Sequence, residues 1–285
     1  MNYQCLYCFA RAFEKLLEKH IPDNEEKLRM SQRFFDMLAK ADTSQPTPYI
    51  AREFHALIRE YLDDPDPYRH EKEEGNKMAL ALMPDLRKNI HQAQDPFNRA
   101  LRYAIAGNIM DYGPSSHFNV HETLREVEQA RFAIDHSDIL RKRIQNAQNI
   151  LYIGDNAGEI VMDRLFLETI GHPHVTFAVR GQPVINDATL EDAQTVGMDK
   201  VAEVISNGYD APSTIMDQAS EEFARAYLKA DIIIAKGQGN FEGLMHQNDH
   251  RLWFLLMVKC QVIGNMLGVN KGDFVVSNSH GQEKA

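Results

Sequence analysis

The stretch Asn149-Ile-Leu-Tyr-Ile-Gly-Asp-Asn-Ala-Gly-Glu-Ile-Val-Met-Asp163 decides how the rest of the chain is read. Ile150–Ile153 is an apolar run too short for a helix and suited to a strand buried on both faces. Gly154 ends it, and two oxygen-bearing side chains follow, Asp155 and Asn156. Ala157-Gly158-Glu159 then opens a helical pattern carried by Ile160, Val161, Leu165 and Leu167. A strand, a glycine turn and a helix start set polar groups at the carboxyl edge of a sheet, where open α/β folds bind ligands.

Downstream of Asn149, apolar β-branched runs alternate with helical ones. The runs are Ile150–Ile153, Val175–Val179, Val201–Ile205 and Asp231–Ala235, with Glu159–Ile170, Ala188–Gly197 and Ser213–Ala230 between them. That alternation predicts right-handed βαβ units and a mostly parallel, doubly wound sheet. Trp253–Leu267 reads as a buried helix or a helix plus a strand, and Phe274–Val276 as a final strand. Upstream, residues 1–145 read as helix after helix. Apolar positions recur at helical spacing from Cys5 to Leu17, and Leu28, Phe34, Phe35 and Leu38 share one side of the next helix. Pro84 is expected to kink or divide a helix over Lys72–Ala93. The last helices are expected over Asp95–Met110 and Val120–Ala147. The division is a helical N-terminal domain or cap, 1–145, and an α/β domain, 146–285.

Composition narrows the function. The chain has 285 residues, 44% of them hydrophobic and 25% charged, ordinary globular values. A formal net charge of -10 argues against a nucleic-acid or anionic-membrane partner. No stretch approaches the roughly 18 apolar residues of a membrane span. Three cysteines make a poor disulfide framework and point to a reducing, cytoplasmic setting. The N-terminal MNYQCLYCFARAF shows no secretory pattern.

The strands end in polar residues in a recurring way. Asp155 and Asn156 follow the first run, and Arg180-Gly181 with Asn186-Asp187 follow the second. Lys236-Gly237-Gln238-Gly239-Asn240 follows the last. Asp155, Asn156 and Asp187 offer hard oxygen donors of the kind that suit Mg²⁺ or Mn²⁺. A helix-capping role for Asp155 and Asn156 has equal standing on sequence alone. The glycines at 237 and 239 let backbone amides close on an anion beside Lys236, although an ordinary β–α turn has the same look. Asn108 and Asp111, three apart, share a helical face above the sheet edge or simply mark a helix end. Cys5 and Cys8 fall on the apolar stripe of the first helix, where core packing is the first reading.

These motifs, in this order, resemble the metal-dependent damage-control phosphatase family, which includes the acidic-residue methyltransferase-like proteins. The matching pieces are Cys5-x-x-Cys8, Gly107-Asn108-x-x-Asp111, Gly154-Asp155-Asn156-Ala157-Gly158-Glu159, Arg180-Gly181 with Asn186-Asp187, Lys236-Gly237-x-Gly239-Asn240 and Lys259-Cys260. The cysteine motifs are similar to those of its stand-alone prokaryotic branch. The resemblance implies a helical domain on an α/β/α Rossmann-like core, with a divalent metal (Mn²⁺, Mg²⁺, Co²⁺ or Ni²⁺) on Asp155, Asn156 and Asp187. It further implies a phosphate held by Lys236, Gly237, Gly239 and Asn240, with Asn108, Asp111 and Arg180 near it. The substrate would be a small phosphorylated metabolite such as a sugar phosphate. Asp155, Glu159 and Lys236 are the expected catalytic groups, with Asp155 or Glu159 orienting the attacking water. Two rivals stand beside this reading: an S-adenosylmethionine-dependent methyltransferase and a non-catalytic sugar-phosphate-binding protein.

Overall fold

A computed structural model of the chain describes residues 1–107, 127–128 and 130–279. Among the described residues seven strands form one sheet: β1 Phe132–Asp135, β2 Ile150–Ile153, β3 Val175–Val179, β4 Glu203–Ser206, β5 Ile232–Lys236, β6 Leu252–Met257 and β7 Phe274–Asn278. Their order is β1-β7-β6-β5-β2-β3-β4. Strands β2 to β6 are mutually parallel, β7 runs antiparallel to β6, and β1 runs parallel to β7.

Every residue of β2 and β5 is buried, as the unbroken apolar runs predicted, and the two-residue period of a strand sorts them between faces. Ile150, Tyr152, Ile232, Ile234, Trp253 and Leu255 enter one core with Leu101, Ile160 and Phe166. Leu151, Ile153, Ile233, Ala235 and Phe254 enter the other, with Phe223, Leu244 and Ile263. The body is therefore an α/β/α sandwich with a mostly parallel sheet.

From β2 the chain winds outward to β3 and β4, then returns to β5 on the other side of β2 and continues to β6. The carboxyl ends of β2 and β5 thus flank the point where strand order reverses, the crevice in which doubly wound sheets bind ligands.

The helical region divides in two. Helices α1 (Tyr3–His20), α2 (Asn24–Lys40) and α3 (Thr47–Leu62) enclose their own core around Phe9, Phe13, Phe34 and Phe54. Phe13 and Phe34 stack there with ring centroids 4.3 Å apart. Helices α4 (Arg69–Gln92) and α5 (Pro96–Ala106) instead pack into the sheet's first core through Met83, Leu86, Leu101 and Ile105. Ion pairs tie the layers together: Arg52 and Arg59 both reach Asp210, Arg59 at 2.7 Å.

Several expectations change. The helix expected over Val120–Ala147 is interrupted by β1, because β7 offers Phe132–Asp135 a parallel partner; the helix resumes only at Ser137–Asn146. The sheet therefore begins ahead of residue 146. In Trp253–Leu267 the strand comes first and the helix, Gln261–Leu267, second. Met30 takes the inner position on α2 with Phe34, while Leu28 and Phe35 are exposed. Helix α4 runs unbroken through Pro84. Cys8 is exposed rather than packed in the core, and Cys5 is half-buried.

Candidate active site

The turn after β2 does not cap the following helix. Gly158, at φ 77, is the N-cap of the helix Glu159–Ile170, and no side chain caps it. The side chains of Asp155 and Asn156 are thereby left for another use. The backbone of the same turn pairs with the loop after β3: Asn156 and Asp187 form an isolated antiparallel bridge. Ala157 N donates to Asn186 O at 2.9 Å and Ala188 N to Asp155 O at 2.8 Å. Asp187 is no cap either, since Thr189 and Asp192 cap the next helix, Leu190–Thr195, in a capping box. Asp155, Asn156 and Asp187 therefore meet, 32 residues apart in sequence between the first and last.

Arg180, at the end of β3 and 1% exposed, organises this group. Its Nε donates to Asp187 Oδ2 at 2.5 Å and its Nη2 to Asp155 Oδ1 at 3.3 Å. Its Nη1 donates to Asn240 Oδ1 at 3.1 Å. Asn240 in turn donates to Gly154 O at 3.0 Å and Lys236 O at 2.7 Å, so it staples the ends of β2 and β5 together. Gly237 is required between them: its φ is 78, and a Cβ there would stand 2.0 Å from Asp155 Oδ2.

Lys236 is wholly buried. Its ammonium group donates to Ala104 O at 2.6 Å, Glu159 Oε1 at 2.8 Å and Asp163 Oδ1 at 2.5 Å. Tyr152 donates to the same Asp163 oxygen at 2.7 Å, and Asn156 Nδ2 donates to Glu159 Oε2 at 3.0 Å. In this arrangement the single charge of Lys236 is shared between two carboxylates of one helix face.

Among the described residues, four buried carboxylates (Asp155, Glu159, Asp163 and Asp187) thus surround two buried cations, Arg180 and Lys236. The imbalance shows in their protonation. Burial, then the charges of Asp187 and Glu159, push the Asp155 carboxyl up to about 7. Burial pushes Asp163 up to about 6 against the pull of Lys236, and Asp187 is raised as well. A buried excess of negative charge is costly unless a cation compensates it. Hard oxygen donors and that excess fit a divalent metal on Asp155, Asn156 and Asp187. Among the described residues no three His, Cys, Asp or Glu side chains are grouped to hold an ion.

Asn108 and Asp111 lie outside the described residues. The other expected residues converge except Gly239, where a Cβ would meet Pro212 O at 2.3 Å rather than any of them. Asp163 was within the opening stretch but unrecognised; its spacing of four from Glu159 on a helix was the available signal. Asn76, which accepts from Gly158 N and donates to Asp192, carried no signal, since its contacts join distant elements. The cysteines gather more than the sequence indicated. Gln238 Nε2 lies 3.6 Å from Cys260 Sγ, and the Cys5 thiol is raised by burial and by Glu242, with Cys260 and Cys8 adding to the effect. A cavity of about 570 Å³ opens at the opposite, amino edge of the sheet, beside Asn149, Val175 and Glu203. None of the converged residues lines it.

Comparisons with known proteins bear on the family and the fold. Residues 1–275 match the model of the damage-control phosphatase ARMT1-like domain. A damage-control phosphatase of Pyrococcus horikoshii is 34% identical over 282 residues, 96% of each chain. One of Archaeoglobus fulgidus is 33% identical over 264 residues, 90% of this chain and 92% of its own. A crystal structure of the Pyrococcus horikoshii protein, described as a DUF89 family protein, superposes with a TM-score of 0.90 at 32% identity, covering 98% of this chain and 99% of that one. With its α/β/α body, its helical N-terminal region and its converged motifs, the chain belongs to the ARMT1-like damage-control phosphatase family.

Proposed function

We propose that the chain is a divalent-metal-dependent phosphomonoester hydrolase acting on small phosphorylated metabolites such as sugar phosphates. The observation that carries this reading is the excess of buried carboxylates around Arg180 at the switch point of the sheet. Family membership supports the phosphatase chemistry. Asp155, Asn156 and Asp187 would hold the ion, Mn²⁺, Mg²⁺, Co²⁺ or Ni²⁺. When bound, such an ion neutralises charge on a phosphate oxygen and acidifies a water molecule.

The chain's own groups do the rest. Arg180 holds Asp155 and Asp187 in register and lends positive charge to the equatorial phosphate oxygens. Lys236 orients Glu159, so that Glu159 or Asp155 can take the proton of the attacking water. The turn through Gly237 and Gly239 borders the phosphate, and Asn240 braces that turn through Lys236 O. Asn108 and Asp111 are proposed to border the phosphate from the helical side. The helical layer covers the crevice as a cap. Among the described residues no helix is long and apolar enough to cross a membrane; with three free cysteines, we place the enzyme in the cytoplasm.

The deciding experiment measures phosphate release from a panel of sugar phosphates with each of the four ions. Release with at least one ion, abolished by chelation, is the expected result. Tight binding with no turnover under any ion would leave a sugar-phosphate-binding protein. Metal-independent binding of S-adenosylmethionine by calorimetry would favour the methyltransferase instead.

Gly237→Ala supplies a sharper test of the geometry. Its φ of 78 strains any side chain, at roughly 1–2 kcal/mol, and the new methyl displaces Asp155. Turnover is expected to fall on the order of a hundredfold, the scale of an ångström's misplacement. An alanine variant with wild-type phosphate release would show that Asp155 does not need its present position.

A further inference from the structure

The N–H of Gly158, in the turn between Asn156 and Glu159, is held by a side chain from another layer. Asn76 Oδ1, on α4, accepts it at 2.7 Å. The other end of the same amide, Nδ2, donates to Asp192 Oδ1 at 2.9 Å. Asp192 Oδ2 accepts from Thr189 N at 2.9 Å and Thr189 Oγ1 at 2.8 Å, and Lys72 Nζ lies 3.2 Å away. Lys72 reaches Asp66 at 2.8 Å. Lys72, Asn76 and Asp192 are each buried, Asn76 at 1% exposure.

Both ends of the Asn76 amide are therefore used, which fixes which way it faces. The carboxylate of Asp192 strengthens the bond it accepts and polarises the amide toward Gly158. Gly158 itself imposes little, since glycine moves between φ regions at small cost. Asp192 belongs to the helix that follows Asp187 directly. One carboxylate–amide pair thus links the segment bearing Asp187 to the turn bearing Asp155 and Asn156.

We propose that Asn76, working as a pair with Asp192, is a positioning residue for the candidate metal site: it sets the separation of the two segments that supply the ligands. The part that concerns metal rests on the phosphatase reading above; the contact between Asn76 and Gly158 does not.

The test uses the full chain, Mn²⁺ alone as titrant followed by electron paramagnetic resonance, and hydrogen exchange at the Gly158 amide in metal-free protein. Asn76→Ala is expected to bind Mn²⁺ about ten- to a hundredfold more weakly, the usual effect of removing an outer partner of a metal site. It should also exchange the Gly158 proton faster. Asn76→Asp sets two carboxylates face to face and should be equally weak. Asn76→Asp combined with Asp192→Asn exchanges acid and amide, keeps the acceptor for Gly158 and the donor between the pair, and should recover most of the affinity.

Wild-type Mn²⁺ affinity in Asn76→Ala overturns the proposal. So does a doubly exchanged variant no better than Asn76→Asp, because general packing would then explain the loss. A wild-type chain that binds no Mn²⁺, Mg²⁺, Co²⁺ or Ni²⁺ overturns the phosphatase reading. The Gly158 exchange rate still decides the contact in that event: faster in Asn76→Ala and restored in the exchanged pair supports it, and no change refutes it.

Discussion

Asp155→Asn is expected to lose metal-dependent phosphate release by about a thousandfold or more, several kcal/mol of transition-state stabilisation at 1.36 kcal/mol per decade. Its metal-free fold should survive to within about 1 kcal/mol. The two halves of this expectation have one cause. Burial, with Asp187 and Glu159 nearby, raises the Asp155 carboxyl to about 7, so its charge opposes the metal-free fold. A neutral side chain of the same shape loses the ligand charge yet relieves that opposition. The sign follows from proton linkage. A carboxyl near 7 when folded and about 3.9 when unfolded binds more protons in the native state between those values. Metal-free wild type should therefore lose stability as pH rises from about 4 to about 7, and Asp155→Asn should show a flatter profile. Apparent Mn²⁺ affinity should weaken below about pH 7, because the ligand must shed its proton. Metal-stimulated turnover in Asp155→Asn equal to wild type would remove Asp155 from the metal assignment.

Lys236→Met tests a different role, and its largest effect should be on stability. The lysine is fully buried, and its three donors satisfy Ala104 O, Glu159 and Asp163. Removing the cation leaves two carboxylates buried without compensation, which typically costs about 3–5 kcal/mol. Against a total stability of about 5–15 kcal/mol that is a large fraction. Urea unfolding monitored at Trp253 would measure it. The deficit should narrow as pH falls toward about 6, because Asp163, freed from the pull of Lys236, takes up its proton in the folded variant above the wild-type value of about 6. A variant as stable as wild type but without turnover would show that Lys236 serves the phosphate alone.

The sequence made the centre of the sheet legible because its information is local. Ile150–Ile153 and Ile232–Ala235 are continuous apolar runs, and the residues just after them must lie at one sheet edge. That is why Asp155, Asp187, Arg180 and Asn240 could be assigned to one place before their contacts were known. β1 was not legible. Phe132-Ala-Ile-Asp135 has four residues, only Phe132 buried, and becomes a strand because β7 lies beside it. The buried pairings were hidden for the same reason. Asp163 meets a lysine 73 residues away, and Asn76 meets a peptide group 82 residues away. A lysine beside a glycine turn reads naturally as a phosphate ligand; only the neighbouring helix shows that it first balances Glu159 and Asp163.

The strand order has one more consequence, for how molecules of this chain treat one another. Among the described residues the outermost strands, β1 and β4, have four residues each and only one buried position apiece, whereas the wholly buried strands β2 and β5 lie inside. Asp135 closes one edge strand and Glu203, exposed, opens the other. Short, charged edges offer a second chain too few backbone groups to extend the ladder. The isoleucine-rich centre is thus guarded against intermolecular β-pairing and aggregation by the two strands that contribute least to the core.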